Sequence, residues 1–126
     1  MSTIVVAIVC QNGQVLMARR RAKEGDLHWQ FPGGAVEEGE TEFHAAEREI
    51  SEETGVVCRA TTKLGERTHP SSNRHIVYVA CDYVSGTAEV KDAEELDRVQ
   101  WMTPKEVFAS ITSDLFAPVK KFLEDF

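Results

Sequence analysis

Three carboxylates, Glu49, Glu52 and Glu53, stand in one short acidic stretch, GGAVEEGETEFHAAEREISEETGV. Their spacing, i, i+3 and i+4, puts them on one face of a helix, within an arc of roughly 100°. Such a crowd of negative charge is unfavourable unless a cation sits beside it. A hard divalent ion held by oxygen ligands is the simplest cation to expect there. An ion of that kind neutralises phosphate oxygens and acidifies a bound water. The stretch is therefore the expected centre of a metal-dependent reaction at a phosphate.

The helix that must carry these acids is bounded by its own punctuation. Thr41 is the expected N-cap, the helix runs from Glu42 to Thr54, and Gly55 supplies the left-handed residue that ends it. Phe43, Ala46 and Ile50 form the expected apolar stripe beside the acidic face. Upstream, Thr3 to Cys10 reads as a central strand, Asn12-Gly13 as a hairpin turn and Gln14 to Arg20 as the return strand. Arg21 to Leu27 reads as a loop, and His28 to Phe31 as a short strand. Downstream, Val56 to Arg67 reads as a strand or bent pair and Thr68 to Asn73 as a loop. Arg74 to Val84 is strongly β, Asp92 to Asp97 is an acidic loop, and Arg98 to Met102 is a short strand. Thr103-Pro104 opens a helix with Thr as N-cap and Pro at the first helical position. A last helix is expected from Asp114 to Glu124, with Leu115, Val119, Phe122 and Leu123 inward. Strands and helices do not alternate regularly, so the expected class is α/β in the α+β sense, a mixed sheet with helices around it rather than a doubly wound parallel sheet.

The chain has 126 residues, of which 42% are hydrophobic, which suits one domain over 1–126 with a single core. Its formal charge of −7 gives no general attraction to duplex nucleic acid or to an anionic membrane. An acidic protein that handles phosphate needs a local cationic device, metal ions or a few arginines. Cys10, Cys58 and Cys81 are far apart, odd in number and without a CxxC spacing, so reduced thiols in a cytoplasmic protein are expected and a zinc site is not. The apolar run Ile4 to Val9 is too short to span a bilayer. Arg20 is a candidate phosphate clamp that stays charged at any working pH. Phe31 either packs in the core or stacks on a base, and Arg74 either decorates a strand end or touches substrate. His28, His44 and His69 lack metal-ligand spacing, and Trp101 reads as core.

The pattern Gly34-x5-Glu40-x7-Arg48-Glu49-Ile50-x-Glu52-Glu53-x-Gly55-Val56 matches the Nudix box in full. The chain resembles the Nudix hydrolase family, and within it the MutT-like nucleoside triphosphate pyrophosphohydrolases. Ala18-Arg19-Arg20, Trp29-Gln30-Phe31-Pro32-Gly33-Gly34, Arg74-His75-Ile76 and Pro118-Val119 carry the narrower likeness. The resemblance implies an α/β/α sandwich around a mixed sheet. It also implies cleavage of a nucleoside diphosphate linked to another group, with Mg²⁺ or Mn²⁺. By position, Glu49, Glu52 and Glu53 match metal ligands, and the Gly33 carbonyl matches a further one. Arg48 and Glu40 match the pair that braces the loop against the helix. Glu95, or its neighbour Glu94, sits where relatives place another ligand or general base.

Relatives that favour oxidised guanine nucleotides carry an Asn just before the Pro-Val of the last helix, where this chain has Phe116-Ala117. Phe116 stacks or packs but makes no polar base contact, which argues against a site restricted to 8-oxo-dGTP. The expected reaction is release of a nucleoside monophosphate and pyrophosphate from a (d)NTP. The same chemistry on a dinucleoside polyphosphate, ADP-ribose, a nucleotide sugar or a capped RNA end stands beside it, as does a nucleotide-binding regulator without turnover. The expected partner is a small nucleotide, and monomer and homodimer both stay open.

Overall fold

Apolar residues occupy both faces of β1 (Thr3–Gln11), so the sheet is covered on both sides. Val5, Ala7 and Val9 face one core; Ile4, Val6, Ile8 and Cys10 face the other. This computed structural model describes residues 3–21, 27–70, 72–111 and 115–126. β1 turns through Asn12 and Gly13, both at positive φ (50° and 74°), into β2 (Gln14–Arg21). β3 (Leu27–Gln30) and β4 (Gly33–Ala35) follow, then α1 (Glu42–Thr54), β5 (Val57–Thr68), β6 (His75–Ser85), β7 (Leu96–Met102), α2 (Pro104–Ser110) and α3 (Ala117–Glu124).

The sheet is mixed, in the order β3-β2-β1-β6-β5, with β4 added to β1 and β7 to β2. Only β1 and β6 among these pairs run parallel. α1 packs on one face, where Ala45, Ala46 and Ile50 join Val5, Val9, Leu16, Val77 and Val79. α2 and α3 cover the other, where Val107, Val119 and Leu123 meet Ile8, Met17, Ile76 and Tyr78. The result is the expected α/β/α sandwich.

β1 and β2 pair only near their turn, at Cys10↔Val15 and Gln11↔Gln14. Beyond that point they part, and β4 takes the vacated edge of β1 through Ile4↔Ala35, Val5↔Gly34 and Val6↔Gly33. The parting opens a cleft between the β1–β6 half and the β2–β3–β7 half.

Several boundaries differ from expectation. Arg21 continues β2 and Leu27 begins β3; the loop between them lies outside the described residues. β4 is a strand beyond those expected, because three residues with two glycines carry no strand signal. β5 is one strand, bent by three register shifts rather than divided. β7 starts at Leu96, inside the expected acidic loop. α3 starts at Ala117, not Asp114, and Asp114 lies outside the described residues. Phe43 is exposed at 37%, and the buried side of α1 runs instead through Ala45, Ala46, Ile50, Glu53 and Thr54.

Candidate active site

α1 begins and ends where its caps dictate. Thr41 Oγ1 accepts from the His44 N–H at 3.1 Å, and Gly55, at φ 76°, donates its N–H to the Ser51 carbonyl at 3.0 Å. The helix is held at its start by Arg48, which donates to both Glu40 oxygens, from Nε at 2.7 Å and from Nη2 at 2.9 Å. Nη2 also donates to the Ala35 carbonyl at 2.9 Å, which ties α1 to the end of β4. The paired guanidinium pulls the Glu40 carboxyl down to about 2, helped by the Glu37 N–H at 3.0 Å.

Arg48 also reaches the acidic face. Its Nη1 donates to Glu49 at 2.9 Å and to Glu52 at 3.3 Å. Glu53 turns the other way, into the protein, where its Oε2 accepts from the Gly33 N–H at 3.2 Å. It is 9% exposed, one of the few buried polar side chains among the described residues. Burial first, and the charges of Glu49, Glu95 and Asp92 next, push its carboxyl up to about 8; the Gly33 N–H works against them. The Glu49 carboxyl is raised too, by burial, with Arg48 opposing.

Gly33 and Gly34, before α1, are needed for space rather than for dihedral freedom. A Cβ on Gly34 would stand 2.4 Å from the Glu49 carboxyl carbon, so the acid occupies the volume that a side chain would fill. A Cβ on Gly33 would meet the Val5 carbonyl oxygen at 2.1 Å. Gly39 alone of the three sits at positive φ, 80°.

The fourth acid comes from across the cleft. Backbone bonds from Glu89 N–H to Thr54 O and from Lys91 N–H to Glu53 O strap the segment before β7 onto the end of α1. That strap brings Asp92 and Glu95 to the same wall as Glu49, Glu52 and Glu53. Glu95 pairs with Arg20 at 3.5 Å, both about half exposed. Glu94 and Glu95 are both exposed, and of the two only Glu95 lines the cavity. Asp92 was read only as a loop acid; its proximity arises from the strap, which leaves no local signal.

These groups line a cavity of about 680 Å³ in the cleft. Its other walls include Ile4, Val6, Ile76 and Tyr78 from the sheet, Trp29, Gln30 and Phe31 from the β3 end, and Ile111 and Leu115 from the segments around α2 and α3. Arg20, Gly33, Phe31 and Arg74 all line it. Phe31 is at once core, 9% exposed, and cavity wall. Phe116 does not line the cavity as described: it lies one layer behind, stacked on Tyr78 at 4.7 Å between ring centroids. Of the two alternatives for Phe116, stacking on a base or packing, the contact present is packing against Tyr78. The later start of α3 sets Phe116 just ahead of the helix, where Gly65 leaves room for its ring.

Among the described residues, no three acidic, His or Cys side chains converge as they stand into a metal cage. Arg48 keeps Glu49 and Glu52 turned toward itself, while Glu53 faces Gly33. The donor set nevertheless fits a hard cation. Glu53 is a buried carboxyl facing other carboxylates, and every acid on that wall offers oxygen alone. The Gly33 atom that touches an acid is its N–H, donating to Glu53. No helix among the described residues is long and apolar enough to cross a membrane.

Comparison with known proteins agrees with this geometry. A Bacillus subtilis relative, provisionally named an 8-oxo-dGTP diphosphatase, is 31% identical over 101 residues, covering 79% of this chain and 64% of its own length. The CTP pyrophosphohydrolase of Escherichia coli is 29% identical over 107 residues, covering 84% of this chain and 78% of its own. The solution structure of the E. coli ORF135 protein superposes with a TM-score of 0.73 at 27% identity, over 98% of this chain and 86% of that one. The chain thus spans about two thirds to four fifths of the length of these curated relatives. The NUDIX domain model matches residues 1–126 from end to end, and the chain belongs to that family.

Proposed function

We propose that this protein is a Mg²⁺- or Mn²⁺-dependent pyrophosphohydrolase of nucleoside diphosphate derivatives, with a (d)NTP as the substrate that best fits its compact cavity. The observation that carries the reading is a cavity lined at once by Glu49, Glu52, Glu53 and Glu95, by the arginines Arg20 and Arg74, and by the aromatic rings Trp29, Phe31 and Tyr78. The acids suit a metal-bound polyphosphate, and Trp29, Phe31 and Tyr78 suit a base. Family membership and relatives named for pyrophosphohydrolase activity support it.

A divalent ion bound at this wall supplies charge neutralisation for the phosphates and a more acidic water. Glu52 and Glu53, with Glu49, are the ligand set. Glu53 must give up its proton to serve, because burial keeps it protonated without a cation. Glu49 or Glu95 would accept a proton from the attacking water. Arg48 braces α1 through Glu40 and holds Glu49 in place until the ion competes for it. Arg20, across the cleft, balances phosphate charge in exchange for its weak pairing with Glu95. Arg74, which lines the cavity together with Ser72, is a further contact for the nucleotide.

The test is a panel of nucleotides and nucleotide conjugates with Mg²⁺, the products separated by chromatography. The expected products from a nucleoside triphosphate are the monophosphate and pyrophosphate. Release of orthophosphate alone, or no turnover together with tight nucleotide binding, would contradict the reading and favour a regulator.

A further inference from the structure

Trp29, Phe31 and Tyr78 line the cavity, but they differ in what they have left to offer a base. Phe31 is 9% exposed and Tyr78 6%, and Tyr78 is already stacked on Phe116. Trp29 packs against the same core yet stays partly exposed. It lies on β3, the last strand at one end of the sheet order. Stacking needs open ring surface that base and protein together remove from water. Trp29 keeps more of that surface than the other two rings.

Arg19 stands against this ring. The two residues are directly opposite across β2 and β3, with the guanidinium carbon 5.5 Å from the ring centroid. The guanidinium is itself fixed, since Nε and Nη2 donate to the two Asp97 oxygens at 2.9 and 2.8 Å. Asp97 stands there because β2 and β7 slip register, from Arg19↔Arg98 to Arg20↔Leu96, which makes it an extra residue on β7. Such a bulge re-aims the side chain it carries. A guanidinium locked in a two-bond fork keeps its plane, and a ring packed on it keeps its own. The next residue, Arg20, pairs with Glu95 only at 3.5 Å. β2 therefore carries one arginine tied into structure and one whose partner is loosely held.

We propose that Trp29 is the ring on which the base of the nucleotide stacks, and that Arg19, fixed by Asp97, is a positioning residue that sets the plane of that ring. Every base has a π-face, so a platform of this kind admits all four bases and holds each by contact area rather than by its hydrogen-bonding edge. The assignment rests on the pyrophosphohydrolase reading above and adds to it where the base lies.

The experiment follows tryptophan fluorescence while α,β-methylene analogues of GTP and CTP, or inorganic tripolyphosphate, are titrated with Mg²⁺, with binding measured in parallel by calorimetry. The chain has two tryptophans, and Trp101 packs in the core under α1, edge-on to Tyr83, away from the cavity lining. Both nucleotide analogues should quench wild type and tripolyphosphate should not, while Trp29→Tyr should bind the analogues without that signal. Steady-state rates for GTP, ATP, CTP and UTP, with thermal melts, complete the set. Trp29→Leu should raise KM by about tenfold for all four nucleotides, through KM more than kcat. Trp29→Tyr keeps a stacking ring and should recover most of that loss. Arg19→Lys keeps the charge without the fork and should raise KM by about threefold. Added to Trp29→Leu it should raise KM no further, a coupling that a merely structural arginine would not show. Binding without quenching in wild type, equal quenching by tripolyphosphate, or an unchanged KM in Trp29→Leu overturns the platform. Additive effects of Arg19→Lys and Trp29→Leu overturn the positioning role. If Trp29→Leu melts early, the quench alone decides. If wild type hydrolyses none of the four, the pyrophosphohydrolase reading falls and the titration still judges Trp29; analogues that do not bind at all overturn both.

Discussion

Glu53 is surrounded by protein and by other acids, so ionising it is harder than in water. Its carboxyl rises from 4.5 toward about 8. Between those values the folded chain holds a proton that the unfolded chain has released. Stability from this group is therefore full below pH 4.5 and lost as pH climbs through about 8. Glu49, raised in the same direction, adds to the slope. Glu40 contributes with the opposite sign, its stability present above pH 4.5 and lost as pH falls from there through about 2, below this window. Metal-free protein is expected to melt at progressively lower temperature from about pH 5 to pH 8.5, and Glu53→Gln is expected to flatten that dependence; parallel curves for the two proteins would refute it. The same substitution should lower kcat by at least a hundredfold with the fold kept, as judged by circular dichroism. The acids of α1 were legible because helical periodicity fixes their shared face from spacing alone. Asp92 was not, since it reaches the cavity through a backbone strap that leaves no local trace.

At the scale of elements, β4 and α1 form one device. β4 gives up side chains so that the helix can lay its acids against the strand. The two glycines separate fold from function. Gly33→Ala forces a Cβ onto the backbone of Val5 and is expected to lower the melting temperature by several degrees or abolish soluble protein. Gly34→Ala meets only the movable end of Glu49, so it should keep most of the stability and lose activity by displacing that carboxyl. Melts and kcat measured on the pair check this, and the reverse pattern would contradict it. Away from the site, α2 is closed by a capping box in which Thr103 accepts from the Glu106 N–H and Glu106 accepts from the Thr103 N–H. Thr103→Ala is expected to cost about 1 kcal/mol of stability by denaturant titration without touching kcat. Both α1 and α2 were readable from their caps. The tie between β4 and β1 was not, because Gly33-Gly34-Ala35 pairs through backbone alone and offers no apolar alternation.

The whole molecule resolves a conflict of charge. A chain of net charge −7 binds a still more negative ligand only where that charge is locally reversed. Arg20 and Arg74 supply part of the reversal at the cleft walls, and the acid wall supplies the rest by drawing in cations. The splayed β1–β2 pair makes this possible, since it opens the sheet and lets Phe31, Ile76 and Tyr78 of one core line the cleft. A mixed sheet with helices around it was foreseeable from the irregular order of strands and helices, and the sandwich from the family resemblance. The cleft was not, because where two strands stop pairing depends on the whole sheet. The most direct test of the account is binding of Mn²⁺ at about pH 7.5, followed by electron paramagnetic resonance in wild type and Glu53→Gln. Loss of the free-ion signal in wild type and its retention in Glu53→Gln is the expected result. Equal uptake by both proteins, or none by wild type with nucleotide present, would contradict it.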